Sequence, residues 1–352
     1  MQHLRFGKNS QLSLGLQCVQ RGSMSRILLI SNRSINDSCR NEELFGRGFN
    51  QSGPCELRIA EASCDPASRN WSISLLPEHH GSADFCYPSR ALFDQIVSEV
   101  TQGAGSSSRW VLFIPGYCSP CKEGLNKSLE LSQSHDVNVL LFSWPSDPWH
   151  EVTDPIQSYK RTQDAAKLSA IGLRRALEGL QRVFVDPIRN TSRGDNFRFS
   201  LLAHSLGNYV VQTYLQQPSP VDMDFSMFDN VILHQADVDF AACKEWVANI
   251  KAKNETYITT NYYDKTLRSC SQLINSARLG TASKGVFTPP GVAHVDFTSS
   301  GKVESQHWFF GNFPNQCIKT FCTRAIQGED AKYSLFQDQS EAGRYQSHPF
   351  VH

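Results

Sequence analysis

Continuous apolar runs alternate with helix-like patterns between residues 110 and 326, and this alternation limits the folds open to the chain. Such runs are typical of strands that helices cover on both faces, as in a parallel sheet. The pattern therefore predicts an α/β fold with a mostly parallel central sheet flanked by helices. The predicted strands lie at 110–114 (WVLFI), 137–142 (VNVLLF), 197–203, 231–234, 256–260 and 292–297. The predicted helices lie at 123–133, 154–180, 206–217, 240–250 and 308–326.

The sequence before this pattern is predicted to form a β-rich N-terminal extension at 26–102. Strands are expected at 26–31, 55–61 and 71–76, and a helix at 89–102. We expect one domain at 26–327, with its catalytic core at 109–327. We also expect an irregular leader at 1–25, in which Met24 is an alternative start, and a polar tail at 328–352.

Composition excludes several classes of partner. The chain of 352 residues has 34 Lys+Arg against 34 Asp+Glu, so it has no basic surplus for nucleic acid or for a membrane surface. No apolar run approaches the roughly 20 residues that span a bilayer, and the first residues lack the pattern of a secretory leader. The 11 cysteines are an odd number spread along the chain. They are expected to be thiols in a reducing compartment, which favours a cytoplasmic location.

The pentapeptide Ala203-His204-Ser205-Leu206-Gly207 follows a predicted strand and opens a predicted helix. A nucleophile elbow has this context, because a sharp strand–turn–helix connection pushes a serine hydroxyl out above the sheet. The usual first residue of the motif is glycine, and Ala203 is small enough to replace it. The alternative is that Ser205 only caps a helix. We expect Ser205 to be a nucleophile.

A serine nucleophile requires a histidine base and a carboxylate that orients the histidine, and in this kind of fold the acid precedes the histidine. Asp264 directly follows the predicted strand at 256–260, at the end where ligand-facing residues belong. It is the preferred acid. Asp237 and Asp239 are alternatives, although Asp239 has a structural role open to it as the cap of the next helix.

Four histidines follow Asp264 in the sequence: His294, His307, His348 and His352. His294 lies inside an apolar run and is expected to belong to a strand. His307 follows that strand across a turn-like Ser-Ser-Gly sequence. A histidine in a loop after the last strand is what a triad requires, so His307 is the predicted base.

Backbone N–H groups are the expected donors to the oxyanion that forms during acyl transfer. The strand at 110–114 runs into Pro115, Gly116 and Tyr117, and Gly116 allows the backbone to turn its N–H groups towards the nucleophile. The predicted donors are the N–H groups of Tyr117 and Leu206. Gly116 and Gly207 are predicted to be structural turn residues.

Several short segments carry a family resemblance because they occur in one order along the chain. They are Ile30-Ser31-Asn32-Arg33, Gly116-Tyr117, Phe142-Ser143-Trp144-Pro145-Ser146, Ala203-His204-Ser205-Leu206-Gly207-Asn208, Asp237-Val238-Asp239, Asp264-Lys265-Thr266-Leu267-Arg268-Ser269 and Arg278-Leu279-Gly280. Together they resemble a largely bacterial family of alpha/beta hydrolases of unknown function with a lipase- or esterase-like fold. The resemblance covers residues 26–326. It implies a Ser205–Asp264–His307 triad and leaves the substrate open.

Pro115 departs from the family pattern, which usually has His-Gly at this point. Proline lacks the imidazole and the N–H that commonly brace the oxyanion loop, and Cys118 replaces a residue that is usually polar. A catalytically silent hydrolase scaffold that binds a ligand or a partner is therefore the alternative function.

The segment Cys118-Ser119-Pro120-Cys121 suggests a rival, thioredoxin-like function. It follows a buried strand and opens a helix, whose N-terminus lowers the pKa of a thiol. However, the long helix predicted from residue 154 occupies the place of the proline-containing strand that thioredoxin requires. Thiol exchange also leaves Ser205 unexplained. Cys118 and Cys121 stay a candidate redox pair, whose disulfide would modulate activity beside the oxyanion loop.

The sequence therefore predicts a serine hydrolase that cleaves an ester, thioester or amide through an acyl-enzyme. The expected substrate is a small-molecule or lipid-like acyl compound. No cofactor and no metal are expected, because no cluster of ligand residues has the spacing of a metal site. No nucleic-acid partner and no membrane span are expected, and the sequence leaves the oligomeric state open.

Overall fold

The computed structural model describes residues 25–65, 67–76, 108–146, 154–185, 197–217 and 225–332. The helix predicted at 89–102 lies outside these residues, as do the positions before residue 25 and after residue 332. The described strands are β1 Ser25–Ser31, β2 Arg33–Ile35, β3 Phe45–Phe49, β4 Arg58–Cys64, β5 Trp71–Leu75, β6 Arg109–Ile114, β7 Asn138–Ser143, β8 Arg198–His204, β9 Asn230–His234, β10 Glu255–Thr260 and β11 Val292–Asp296.

Nine of these strands form one sheet in the order β11-β10-β9-β8-β6-β7-β1-β4-β5. The neighbouring pairs from β11 to β1 are parallel, and β1–β4 and β4–β5 are antiparallel. Strands β2 and β3 form a separate two-stranded sheet. The carboxyl ends of the parallel strands meet at one edge of the large sheet, which is where ligand-facing residues belong.

Helices cover both faces of the sheet. The described α-helices are α1 Cys121–His135, α2 Pro155–Val185, α3 Gly207–Gln216, α4 Cys243–Val247, α5 Lys265–Ile274 and α6 Gln316–Ile326. One apolar core contains residues of α2 and α3, and the other contains residues of α1 and α6. Successive residues of a strand enter opposite cores, as Leu112 and Phe113 do in β6. This double coverage explains why these strands are continuously apolar in sequence.

Three of the N-terminal strands, β1, β4 and β5, belong to the same sheet as the strands after residue 108. Strand β1 lies between β7 and β4, with Ser31 opposite Ser143 in the parallel ladder. Among the residues after 327, Ala331 is buried and its N–H donates to the Tyr257 hydroxyl at 2.9 Å. The described helices include none that is long and apolar enough to cross a membrane.

Several predicted boundaries are wrong. The helix predicted at 308–326 begins only at Gln316, because Pro314 precedes the helix and Asn315 caps it by accepting from the Ile318 N–H at 3.1 Å. The helix predicted at 240–250 is reduced to α4, and the strand predicted at 55–61 lies at Arg58–Cys64. The sequence analysis missed α5, a helix of ten residues in which only Leu267 and Cys270 are buried.

Candidate active site

Ser205 occupies a sharp turn between β8 and α3. Its φ is +53°, in the left-handed region that residues other than glycine rarely adopt. The turn is held by backbone hydrogen bonds on both sides: the Ser205 N–H donates to the His234 carbonyl at 3.0 Å, and the Asp237 N–H donates to the Ser205 carbonyl at 3.1 Å. The Asn208 amide also donates to the Ser205 carbonyl at 3.0 Å. This strained strand–turn–helix is the geometry that a nucleophile elbow requires.

Two glycines let the loop after β6 pack directly against this turn. A Cβ on Gly116 would lie 2.6 Å from the Ser205 Cβ and 3.1 Å from its Oγ. A Cβ on Gly207 would lie 2.7 Å from the Pro115 carbonyl oxygen. Neither distance leaves room for a side chain, so both positions depend on glycine for a close approach of two backbones.

The structure brings Asp264 and His307 together. The Asp264 Oδ2 accepts from the His307 Nδ1 at 2.5 Å, and its Oδ1 accepts from the Leu267 N–H at 3.1 Å, which caps α5. The Asp264 carboxylate is fully buried, whereas the His307 side chain is 18% exposed. Because Nδ1 donates to the carboxylate, the Nε2 of neutral His307 carries the lone pair that a base needs.

The other predicted candidates have different surroundings. The Asp239 carboxylate accepts from the N–H groups of Ala241 and Ala242, so it caps the turn before α4. The Asp237 carboxylate is buried between Arg278, at 2.7 Å from its Nε, and the Tyr159 hydroxyl at 2.9 Å. Asp237 is thereby engaged in an ion pair beneath the elbow.

The remaining histidine candidates are also accounted for. His294 lies in β11, where its Nε2 hydrogen-bonds to the Thr260 hydroxyl at 2.8 Å. His348 and His352 lie outside the described residues.

The residue next to the serine connects the elbow to the histidine loop. The His204 ring lies 4.7 Å from the His307 ring, measured between centroids, and the His204 Nε2 donates to the His307 carbonyl at 3.0 Å. Within the described part of the chain, the Ser205 Oγ makes no hydrogen bond to His307. Hydrogen bonds between catalytic groups are often long in unliganded enzymes and tighten when substrate binds.

A second buried histidine holds the same loop. The His234 Nε2 accepts from the Phe309 N–H at 3.3 Å, so its protonated Nδ1 donates to the Thr259 hydroxyl at 2.7 Å. Burial lowers the pKa of both His204 and His234 well below 6.5, which keeps them neutral. The sequence analysis missed this pair, although His204 lies in the elbow motif and His234 ends an apolar run.

The predicted oxyanion donors belong to residues next to the serine turn: Leu206 directly follows Ser205, and Tyr117 directly follows Gly116, which packs against Ser205. Among the described residues, the backbone N–H groups of Tyr117 and Leu206 have no hydrogen-bond acceptor. The Tyr117 side chain is fixed by a hydrogen bond between its hydroxyl and the Ser158 hydroxyl at 2.9 Å. A developing negative charge near Ser205 would therefore find two unused donors.

The loop that carries Tyr117 is braced despite the proline at its start. The Trp144 indole donates to the Pro115 carbonyl at 2.9 Å, and the Cys118 N–H donates to the Ser146 carbonyl at 3.0 Å. Both partners lie just after β7. The bracing that Pro115 cannot supply through an N–H of its own thus comes from a neighbouring strand end.

The two cysteines of this loop differ in environment. Both are thiols in the structure, Cys118 exposed and Cys121 buried. Burial raises the pKa of the Cys121 thiol, which is opposite to the shift that activates redox thiols. The redox pair stays a hypothesis. In the part of the chain that the structure describes, no group of three or more His, Cys, Asp or Glu side chains could hold a metal ion.

Strand order and elbow define the class of protein as an alpha/beta hydrolase. A family model for alpha/beta hydrolases of unknown function (DUF900) matches residues 96–296, which is more than half of the chain. The chain belongs to this family. The match confirms both the resemblance seen in the sequence and the predicted fold class. It includes Ser205 and Asp264 and ends before His307. No curated protein matches the chain significantly.

Proposed function

We propose that the protein is a serine hydrolase that cleaves an ester-type acyl bond through an acyl-enzyme on Ser205. The observation that carries the proposal is the hydrogen bond between Asp264 and His307. It lies at the same edge of the sheet as Ser205, whose backbone adopts the left-handed conformation. The same residues would act on a thioester or an amide. The candidate substrates are small-molecule or lipid-like acyl compounds, and the reaction requires no cofactor. The cytoplasmic location stays a prediction.

In the proposed reaction, Ser205, His307 and Asp264 each have a separate role. The Ser205 Oγ attacks the acyl carbonyl while the His307 Nε2 takes its proton. The Asp264 carboxylate keeps the His307 proton on Nδ1 and stabilises the imidazolium that forms. His307 then donates the proton to the departing alkoxide, thiolate or amine. A water molecule, deprotonated by His307, releases the acid and regenerates Ser205.

Backbone groups would stabilise the tetrahedral intermediate. The N–H groups of Tyr117 and Leu206 lie next to the close backbone contacts at Gly116 and Gly207, and these contacts would hold both donors in place. Donors that are fixed before the reaction cost no reorganisation when the charge develops. This arrangement supports acyl transfer over a role in which Ser205 only caps a helix.

Labelling with a fluorophosphonate probe tests the proposal. We expect a covalent adduct on Ser205, mapped by peptide mass spectrometry, and its loss in Ser205→Ala. Ser200→Ala is the matched control, because Ser200 is a buried serine of β8, the strand that precedes Ser205, and its hydroxyl donates to the Ala325 carbonyl. Folded wild-type protein that takes no label at Ser205 would refute the enzyme and leave the silent binding scaffold. Hydrolysis of p-nitrophenyl esters of graded chain length would then define the acyl pocket.

A further inference from the structure

Arg33 brings a buried guanidinium to the edge of the sheet that carries the candidate site. It is the first residue of β2 and lies two residues after Ser31, the last residue of β1, which lies opposite Ser143 of β7. The Arg33 side chain belongs to the largest fully buried side chains of the described structure, with 1% exposure. Burying a charged side chain is costly unless hydrogen bonds satisfy it, so its partners indicate what it holds.

Each nitrogen of the guanidinium donates to a different segment. The Arg33 Nη2 donates to the Ser119 carbonyl at 2.8 Å, and the Nε donates to the Ser143 hydroxyl at 2.9 Å. The Nη1 donates to the Gly46 carbonyl at 3.2 Å. Arg33 therefore ties the loop after β6 to the end of β7 and to the small β2–β3 sheet.

The Ser119 carbonyl has a second donor that depends on the same cluster. The Ser146 hydroxyl donates to it at 2.7 Å and itself accepts from the Arg33 Nη2 at 3.4 Å. With the Trp144 indole on the Pro115 carbonyl, the loop is anchored on both sides of Tyr117. The Tyr117 N–H lies between these two anchors: its peptide plane directly follows that of the Pro115 carbonyl, and two further planes lie between it and the Ser119 carbonyl.

We infer that Arg33 is a positioning residue for the oxyanion loop: it orients the Tyr117 N–H through the Ser119 carbonyl. The inference rests on the proposed hydrolase function. Arg33 precedes the segment that the family model matches, so the site would depend on a residue outside that segment. An arginine suits the position because its planar fork donates in three fixed directions, whereas a lysine ammonium is a compact point charge.

The first test compares Arg33→Lys with wild type on p-nitrophenyl acetate. Lysine retains the buried charge and cannot bond to Ser119, Ser143 and Gly46 at once. We expect kcat to fall about 10- to 100-fold with little change in KM, because the oxyanion exists only after attack on the carbonyl. The rate of fluorophosphonate labelling at Ser205 should fall with kcat.

Arg175→Lys is the matched control. Its Nη1 donates to the Cys55 carbonyl at 2.9 Å and to the Glu56 carboxylate at 3.2 Å, so it also ties the core to the N-terminal segment, and both of these partners lie outside the oxyanion loop. We expect its kcat to equal that of wild type. If both lysine variants lost the same activity, Arg33 would only stabilise the extension, and the inference would be wrong.

Chemical rescue separates positioning from folding. Arg33→Ala leaves a space of guanidinium shape, and millimolar guanidinium ion should restore at least part of the lost kcat. The same addition should leave wild type and Arg175→Ala unchanged. If Arg33 variants do not fold, Ser146→Ala removes the second donor to the same carbonyl, and kcat should fall severalfold with KM retained.

The outcomes distinguish this inference from the proposed function. Wild-type protein without a Ser205 adduct would overturn both. If the wild type is labelled and folded Arg33→Lys has the wild-type kcat, only the role of Arg33 is overturned. The same holds if no Arg33 variant folds and Ser146→Ala has the wild-type kcat. Failure of guanidinium to restore a folded, inactive Arg33→Ala would do the same.

Discussion

Asp264 uses its two carboxylate oxygens for two different tasks. Its Oδ2 accepts from His307, and its Oδ1 caps helix α5 by accepting from the Leu267 N–H. The cap fixes the plane of the carboxylate, and the plane fixes where the imidazole can lie. The first turn of α5 is thus part of what orients the candidate base.

Replacing Asp264 by asparagine should therefore disrupt catalysis far more than binding. The amide introduced by Asp264→Asn can donate to Nδ1 and stabilise the wrong tautomer of His307, so kcat/KM for p-nitrophenyl esters should fall by about 10²- to 10⁴-fold. Asp239→Asn is the matched control, because Asp239 caps backbone N–H groups away from His307. We expect Asp239→Asn to retain activity and to lower the free energy of unfolding by no more than about 1 kcal/mol. The acid would be misassigned if Asp239→Asn lost the greater activity.

The elbow and the loop after β6 form one packed unit. The three atoms nearest to a Cβ at Gly207 would be backbone atoms of Ile114 and Pro115, which cannot move aside as a flexible side chain can. At Gly124 in α1, the nearest atoms are the side-chain carbons of Leu141, the first at 3.3 Å. The surroundings of Gly124 can therefore adapt to an added methyl group, whereas those of Gly207 cannot.

We expect Gly207→Ala to lower the free energy of unfolding by about 1–3 kcal/mol, which is the usual cost of overpacking. The hydrolase activity should fall as well. Gly124→Ala should change stability by less than about 1 kcal/mol, because the gain in helix propensity offsets a small adjustment of Leu141. Urea denaturation and p-nitrophenyl ester hydrolysis measure both effects. Equal costs at the two positions would contradict the role assigned to the backbone contact.

The sequence predicts those elements whose surroundings leave a local pattern. Strands such as β6 and β8 are covered on both faces, so each is an apolar run, and the elbow motif falls between β8 and α3. Helix α5 has few apolar residues and buries only Leu267 and Cys270, so it contains no long apolar run. The contacts of His204, Trp144 and Arg33 join segments far apart in the chain, and no local pattern records such contacts.

Buried histidines make the stability of the whole molecule depend on pH. Burial lowers the pKa of His204 and His234 in the folded state, so below pH 6.5 the unfolded chain binds more protons than the folded one. The stabilisation is complete above pH 6.5 and is lost as the pH falls. The carboxyl groups with lowered pKa values, such as Asp239, lose their contribution only at lower pH.

We expect the free energy of unfolding to fall between pH 7 and pH 5.5, by up to about 1.4 kcal/mol per pH unit below 6.5 for each of these two histidines. His204→Gln should flatten this dependence, since glutamine can still donate to the His307 carbonyl and does not titrate. Urea denaturation at pH 7.0, 6.0 and 5.5 gives the slopes. An unchanged slope would show that His204 is already protonated in the folded protein.

The position of β1 in the sheet has a consequence for how a newly made chain folds. The Ser31 hydroxyl donates to the Ser143 carbonyl across 112 residues of sequence, so β1 is synthesised long before its parallel neighbour. Closing such a loop costs entropy before the contacts repay it. Until then, β1 pairs only with β4, and its other edge offers unpaired N–H and C=O groups to any strand nearby. The nascent chain is therefore most exposed to aggregation between the synthesis of β1 and the arrival of β7.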